Sequence, residues 1–131
     1  MVASSDGSVP PGLGELEAEI MEQVWRHGEA TVRSVLEALN ATAAKARAYT
    51  TVMTVMGNLD RKALLTRRRE GRTDVYTPVL SRREYHDARA RAEAGALVGR
   101  YGEAAYLAFA REMDRLDPKQ RQQLRRMVRD G

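Results

Sequence analysis

The 131-residue chain contains no cysteine. That excludes disulfides, thiolate metal sites, iron–sulfur clusters and a cysteine nucleophile. It has two histidines, His27 and His86, far apart in the chain and each without a second ligand at a metal spacing such as i+4; no metal site is expected. No apolar run approaches the roughly 18 residues needed to span a bilayer, and no signal-peptide pattern opens the chain. A cytoplasmic protein is the expectation. No nucleophile motif surrounds any serine, and no glycine-rich loop suits phosphate cradling, so neither catalysis nor a cofactor is expected. Lysine is scarce, at 3 against 19 arginines. A GC-rich genome produces the same bias, so arginine richness alone is not chemistry.

What is present is charge, unevenly placed. The 22 Lys+Arg and 18 Asp+Glu leave a formal net charge of +4. Residues 1–40 carry two arginines and seven acids, residues 41–80 eight bases and three acids, and residues 81–131 twelve bases and eight acids. An acidic first third and a basic remainder point to a polyanion-binding face more strongly than the total does. A solvated charged surface is the bland alternative. At this length the chain is one domain, or one with a small appendage.

Residues 1–12 are small, polar and rich in Pro and Gly, and are expected to form a flexible tail. Residues 13–26 show helical period, with Leu16, Ile20, Met21 and Val24 on one stripe, and His27-Gly28 ends that helix. Thr31 is a natural N-cap for a second helix over 32–39, where Val32, Val35, Leu36 and Leu39 repeat at i, i+3, i+4 and i+7. Residues 40–47 suit a turn. Helicity resumes over 48–62, with Val52, Val55, Met56 and Leu59 as the stripe. Two β-forming segments then flank Gly71, a hairpin signal, and Pro78 ends the second. Ser81 with Glu84 forms a capping box. Helices follow near 82–99, 101–116 and 118–129, the last started by Asp117-Pro118. Three helices followed by a hairpin is the winged helix-turn-helix order. The expected fold is mainly α (α+β), with a winged helix-turn-helix over 13–80 and a helical dimerisation region over 81–131.

In such a motif the second helix of the helix-turn-helix enters the major groove. It needs an apolar face toward its own domain and short polar groups outside. The 48–62 helix meets both needs. Thr50, Thr51 and Thr54 can touch thymine methyls, base edges or phosphates; Asn58 and Arg61 reach farther along. Lys45 and Arg47 stand just before it, placed for flanking phosphates. Threonine is a poor choice for a merely exposed helix face. Met53 and Met56 admit a reading as adaptable contacts, but Met56 is on the core stripe. The hairpin carries Arg67, Arg68 and Arg69, with Arg72 at its tip. Alternation puts Arg67 and Arg69 on one side and Arg68 on the other. Such a wing suits phosphate or minor-groove contact, the favoured reading, which is compatible with a charged edge that blocks aggregation.

These residues resemble a known family. Leu13-Gly14-Glu15-Leu16-Glu17 leading to Ile20-Met21 and Val24-Trp25 looks like the opening helix of the penicillinase-repressor type of regulators (the BlaI/MecI group). Thr31-Val32-Arg33-Ser34-Val35 resembles its second helix. Ala48-Tyr49-Thr50-Thr51-Val52-Met53-Thr54-Val55-Met56, with Leu59 and Arg61-Lys62, resembles its recognition helix, and Gly71-Arg72 through Val75-Tyr76-Thr77-Pro78 its wing. The resemblance covers about residues 13–80. It implies a bacterial homodimeric repressor whose winged helix binds a palindromic DNA operator and whose C-terminal helices dimerise. It also implies control of a β-lactam-response or cell-envelope operon, and a membrane sensor protease as partner. By position it makes Tyr49, Thr50, Thr51, Thr54 and Arg61 recognition-helix residues and Arg72 the wing contact. Three departures stand out. Ala63 replaces the glycine that usually follows the helix-ending lysine; a left-handed conformation there would cost Ala of order 1 kcal/mol. The Asn-Phe pair cleaved in staphylococcal members is not found, the comparable stretch reading Leu97-Val98-Gly99-Arg100-Tyr101-Gly102. The C-terminal cysteines of the copper-responsive branch are also missing.

Trp25 reads as a packing residue. Tyr85, Leu97, Val98, Tyr101, Tyr106, Leu107, Phe109, Met113, Leu116 and Leu124 are the expected dimer core. Arginines of this third are expected to line its outside and pair with acids, as Arg115 with Glu112. The rival to a DNA-binding repressor is a winged-helix adaptor that binds protein and does not read DNA; the basic 41–80 block argues against it.

Overall fold

The computed structural model describes residues 9–42 and 46–131. The element order is α1 (Glu15–His27), α2 (Val32–Thr42), α3 (Tyr49–Arg61), β1 (Leu65–Glu70), β2 (Thr73–Pro78), α4 (Arg82–Tyr101), α5 (Glu103–Asp114) and α6 (Pro118–Asp130). The fold is a winged helix-turn-helix followed by three further helices. The chain divides into two compact units, with the boundary between Ala90 and Arg91, inside α4.

The first unit is built by three amphipathic helices turning their stripes inward. Ile20, Met21 and Val24 of α1, Val35 and Leu39 of α2, and Val52, Met56 and Leu59 of α3 are buried together with Leu64, Leu65, Tyr76 and Leu80. Leu16, Leu36 and Val55 complete the stripes at half-buried positions. Helix starts follow local chemistry. Thr31 Oγ1 accepts the Ser34 N–H at 3.0 Å while Ser34 Oγ accepts the Thr31 N–H at 3.0 Å. Ser81 and Glu84 exchange the equivalent pair at 3.0 and 2.8 Å, as do Asp117 and Gln120 at 2.8 and 3.1 Å. Each pair satisfies two amides that the first helical turn leaves open. α2 runs three residues past Leu39, because Asn40-Ala41-Thr42 still supports helix before the turn.

The wing is a two-stranded antiparallel hairpin with Leu65 opposite Pro78 and Glu70 opposite Thr73. Its two-residue loop has Gly71 at φ +62°, and Arg72 is outside the positive-φ region. That is the II′ geometry, with glycine at the first central position. The connection between α1 and α2 fastens the hairpin to the domain: Ala30 N–H donates to Tyr76 O at 2.9 Å and Tyr76 N–H to Ala30 O at 2.8 Å. No strand signal around Ala30 announced this bridge.

Two expectations change here. Residues 1–8 of the expected tail lie outside the described residues, but residues 9–12 are tied down. Pro10 is buried, the Tyr85 hydroxyl donates to Pro11 O at 2.6 Å, and Arg89 donates to Pro10 O at 3.1 Å. Tyr85, expected in the dimer core, is instead buried in the first unit. Its ring centroid lies 5.6 Å from that of Trp25, whose Nε1 donates to Leu80 O at 3.0 Å. The first turns of α4 therefore complete the winged-helix core.

In the second unit Val98, Phe109, Met113 and Leu116 are half-buried. Leu97, Tyr101, Tyr106, Leu107, Leu124, Met127 and Val128 are exposed large apolar residues. Ala105 is this unit's one buried apolar residue among those described.

Candidate nucleic-acid interface

α3 divides cleanly by face. Val52, Met56 and Leu59 are fully buried, whereas Thr50, Thr51, Thr54 and Arg61 are exposed. Asn58 is half-buried and its Oδ1 accepts a hydrogen bond from the Arg61 guanidinium. Tyr49 and Met53 extend the outer face at 42% and 44% exposure. The outer surface is therefore a run of short hydroxyls flanked by one aromatic and one thioether. Such a surface offers donors, acceptors and methyl contacts to base edges.

Asn40 positions the approach to α3. Its Oδ1 accepts the Arg47 N–H at 2.8 Å and its Nδ2 donates to Arg47 O at 3.2 Å. The Arg47 side chain turns toward α1 and pairs with Glu19 at 3.3 Å. Expected as a phosphate contact, Arg47 is here a half-buried tie between the turn and α1. Lys45 lies outside the described residues.

The end of α3 is a Schellman closure. Leu64 N–H donates to Leu59 O at 2.9 Å and Ala63 N–H to Asp60 O at 3.0 Å. This pattern needs a left-handed residue at its turn, and Ala63 supplies it at φ +62°. Leu64 and Leu59, the residues this motif brings into contact, are both buried. Burial of that pair holds Ala63 in a conformation its side chain disfavours. Lys62, at the cap, reaches Glu17 at 2.6 Å. Glu17 accepts the Gly14 N–H at 2.9 Å; that bond first, and Lys62 second, hold its carboxyl below the usual range.

The three wing arginines of β1 all meet acids. Arg69 Nε lies 3.2 Å from Asp74, and Arg67 is 3.5 Å from Asp60 and 3.7 Å from Asp74. Arg68, on the other face, grips both Glu29 oxygens at 3.1 and 3.3 Å and also binds Glu70. These hydrogen bonds, Glu29's first, raise the Arg68 pKa. Pairs this exposed are each worth about 0–1 kcal/mol, so an incoming phosphate can replace a carboxylate at little cost. Arg72 has no acidic partner among the described residues and stands at the exposed tip. Between wing and α3 lies a groove of about 310 Å³ that Tyr49, Met53, Arg67 and Arg72 help to line.

The groove also includes Arg33, which the sequence reading passed over as part of the second helix's start. Its guanidinium lies 5.4 Å from the Tyr49 ring centroid, a cation–π distance. The available signal was its place in the first turn of α2 beside a cap, where a helix-turn-helix meets a backbone. Glu29, Asp60 and Asp74 were likewise not read as partners; 39 residues separate Glu29 from Arg68, whereas Asp74 stands directly opposite Arg69 across the hairpin and the turn position was the signal for it. Among the described residues no group of acids and histidines could hold a metal ion, and no helix is long and apolar enough to cross a membrane.

A family model described as penicillinase repressor matches residues 13–130. The chain belongs to the penicillinase repressor family. Among curated members, the transcriptional regulator BlaI of Mycobacterium tuberculosis is 45% identical over 73 residues, covering 55% of this chain and 51% of that protein. The penicillinase repressor of Bacillus licheniformis is 29% identical over 75 residues, or 57% of each chain. The chain thus spans about half the length of the curated relatives it matches. A solution structure of the DNA-binding domain of the repressor BlaI matches with a TM-score of 0.50 at 28% identity. That match covers 60% of this chain and 92% of the other. For this penicillinase repressor family member the family match extends through all three C-terminal helices.

Proposed function

We propose that the chain is a homodimeric, sequence-specific transcriptional repressor that binds a palindromic operator in double-stranded DNA. The observation that carries this is α3: a helix anchored by three fully buried residues presents three exposed threonines in a row of turns. Family membership, and relatives named as transcriptional regulators and penicillinase repressors, support the same reading. In it, Tyr49, Thr50, Thr51, Thr54, Asn58 and Arg61 form the base-reading and adjoining backbone contacts. Arg72 and Arg33 take phosphates on either side. Two copies related by a two-fold axis match the two half-sites of a palindrome. The exposed apolar residues of the second unit support dimerisation through that unit, since a monomer leaves them in water.

Affinity then comes largely from phosphate contacts and falls with salt, while specificity comes from the threonine face. The double variant Thr51→Ala/Thr54→Ala should lose roughly 10-fold or more of its preference for operator over random duplex, at about 1 kcal/mol or more for each lost base contact. Arg72→Ala should weaken both duplexes alike. A gel-shift competition on the promoter of the chain's own gene measures this. Full operator preference in the threonine variant would remove the assignment of α3.

A further inference from the structure

Positive charge without an acidic partner extends beyond the 41–80 block. Arg67, Arg68 and Arg69 of the wing are each paired with carboxylates, Arg47 with Glu19 and Lys62 with Glu17. In α6 the balance is reversed. Lys119, Arg125, Arg126 and Arg129 are all exposed, and none has an acidic partner among the described residues. Asp117 accepts the Gln120 N–H as the helix cap, which leaves Asp130, in the last turn, as the helix's one other acid.

The two faces of α6 have different compositions. Leu124, Met127 and Val128, spaced i, i+3 and i+4, share one side. Lys119, Arg125, Arg126 and Arg129 fall on the other, by the 3.6-residue repeat. The helix dipole accounts for cations in the last turns but not for Lys119 in the first, where a positive charge is disfavoured. Asp130, four residues after Arg126, is the one acid on this side of the helix, so the face carries an excess of positive charge that an external anion can compensate.

We infer that the basic face of α6 is a second DNA-binding surface, one that holds the phosphate backbone without reading bases. This rests on the reading of the chain as a DNA-binding protein. A phosphate backbone repeats its charge along a line, as this face does along the helix, and guanidinium groups match phosphate oxygens in pairs. A lipid surface fits less well: the apolar side holds three residues and no aromatic, whereas interfacial helices bury a broad apolar face.

The test is the salt dependence of DNA binding by the full chain and by Lys119→Gln/Arg125→Gln/Arg126→Gln/Arg129→Gln. Random-sequence duplex and the chain's own promoter serve as probes. Each phosphate contact given up flattens the plot of log K against log salt by about 0.9. A flattening of about 1 or more on both duplexes, with operator preference retained, is the expected result; a smaller change overturns the inference. All four side chains are exposed, and circular dichroism and sedimentation verify that the variant keeps its fold and association state. Vesicles of phosphatidylglycerol form a parallel arm. Vesicle binding abolished by the four substitutions, together with an unchanged DNA slope, would assign the face to lipid instead. If the unaltered chain bound no duplex at all, the repressor reading would fall and this inference with it. A normal operator complex with an unchanged slope overturns only the role of α6.

Discussion

Ala63 shows how a single residue stores the tension between local preference and packing. The Schellman closure at the end of α3 demands a left-handed backbone there, and the buried Leu59–Leu64 pair enforces it at φ +62°. For a residue with a β-carbon that conformation costs about 1–2 kcal/mol. Ala63→Gly should relieve it, raising stability by about 0.5–1 kcal/mol once the greater freedom of glycine in the unfolded chain is subtracted. Urea unfolding should show a higher midpoint at an unchanged slope. A lower midpoint would mean that Ala63 is not strained. The departure from glycine was readable in the sequence; that the chain keeps the left-handed turn regardless was not, because the enforcing contact is the burial of its neighbours.

At the scale of elements, the three-helix-and-wing order was legible almost to the residue. Apolar stripes with a period near 3.6, the Thr31 cap of α2 and one glycine-bearing turn are local signals. α4 was harder. Its capping box at Ser81 and Glu84 announces a new helix, and nothing local says that its first turns belong to the preceding core. Tyr85 reaches back to Pro11 and packs beside Trp25. A fragment ending at Ala90 should therefore be more stable than one ending at Leu80, by about 3 kcal/mol for the lost burial of one large aromatic and its contacts. Thermal unfolding of the two fragments makes the comparison. Equal stability would detach Tyr85 from the core. The wing arginines carry the same lesson. Alternation assigned them to faces, and Asp74 is Arg69's neighbour across the hairpin, but Glu29 becomes Arg68's partner only through tertiary folding.

For the whole molecule, the second unit sets the question of association. Leu97, Tyr101, Tyr106 and Leu107 are between 42% and 62% exposed, too much apolar surface to leave in water without cause. In a two-fold interface each residue counts twice. Leu107→Glu should then weaken dimerisation by about 3 kcal/mol, or roughly 100-fold in Kd. Sedimentation would show monomer at concentrations where the unaltered chain is dimeric, and the melting temperature of the unaltered chain should rise with its concentration. An unaltered chain that sediments as a monomer throughout would end the dimer proposal.

The sequence by itself determined the order of elements, the inward stripes, the caps and the outward threonines of α3. All of these follow from interactions within a few residues, or from a period that one element carries alone. Tertiary structure decided which charges are spent. Arg47 and Arg68 find acids from distant segments, Glu19 and Glu29, while Lys119, Arg125, Arg126 and Arg129 find none among the described residues. It also decided that residues 9–12 and Tyr85 belong to the winged-helix core. The physical reason is common to both: an ion pair and a buried ring each depend on a neighbour in space, and position along the chain does not encode that neighbour.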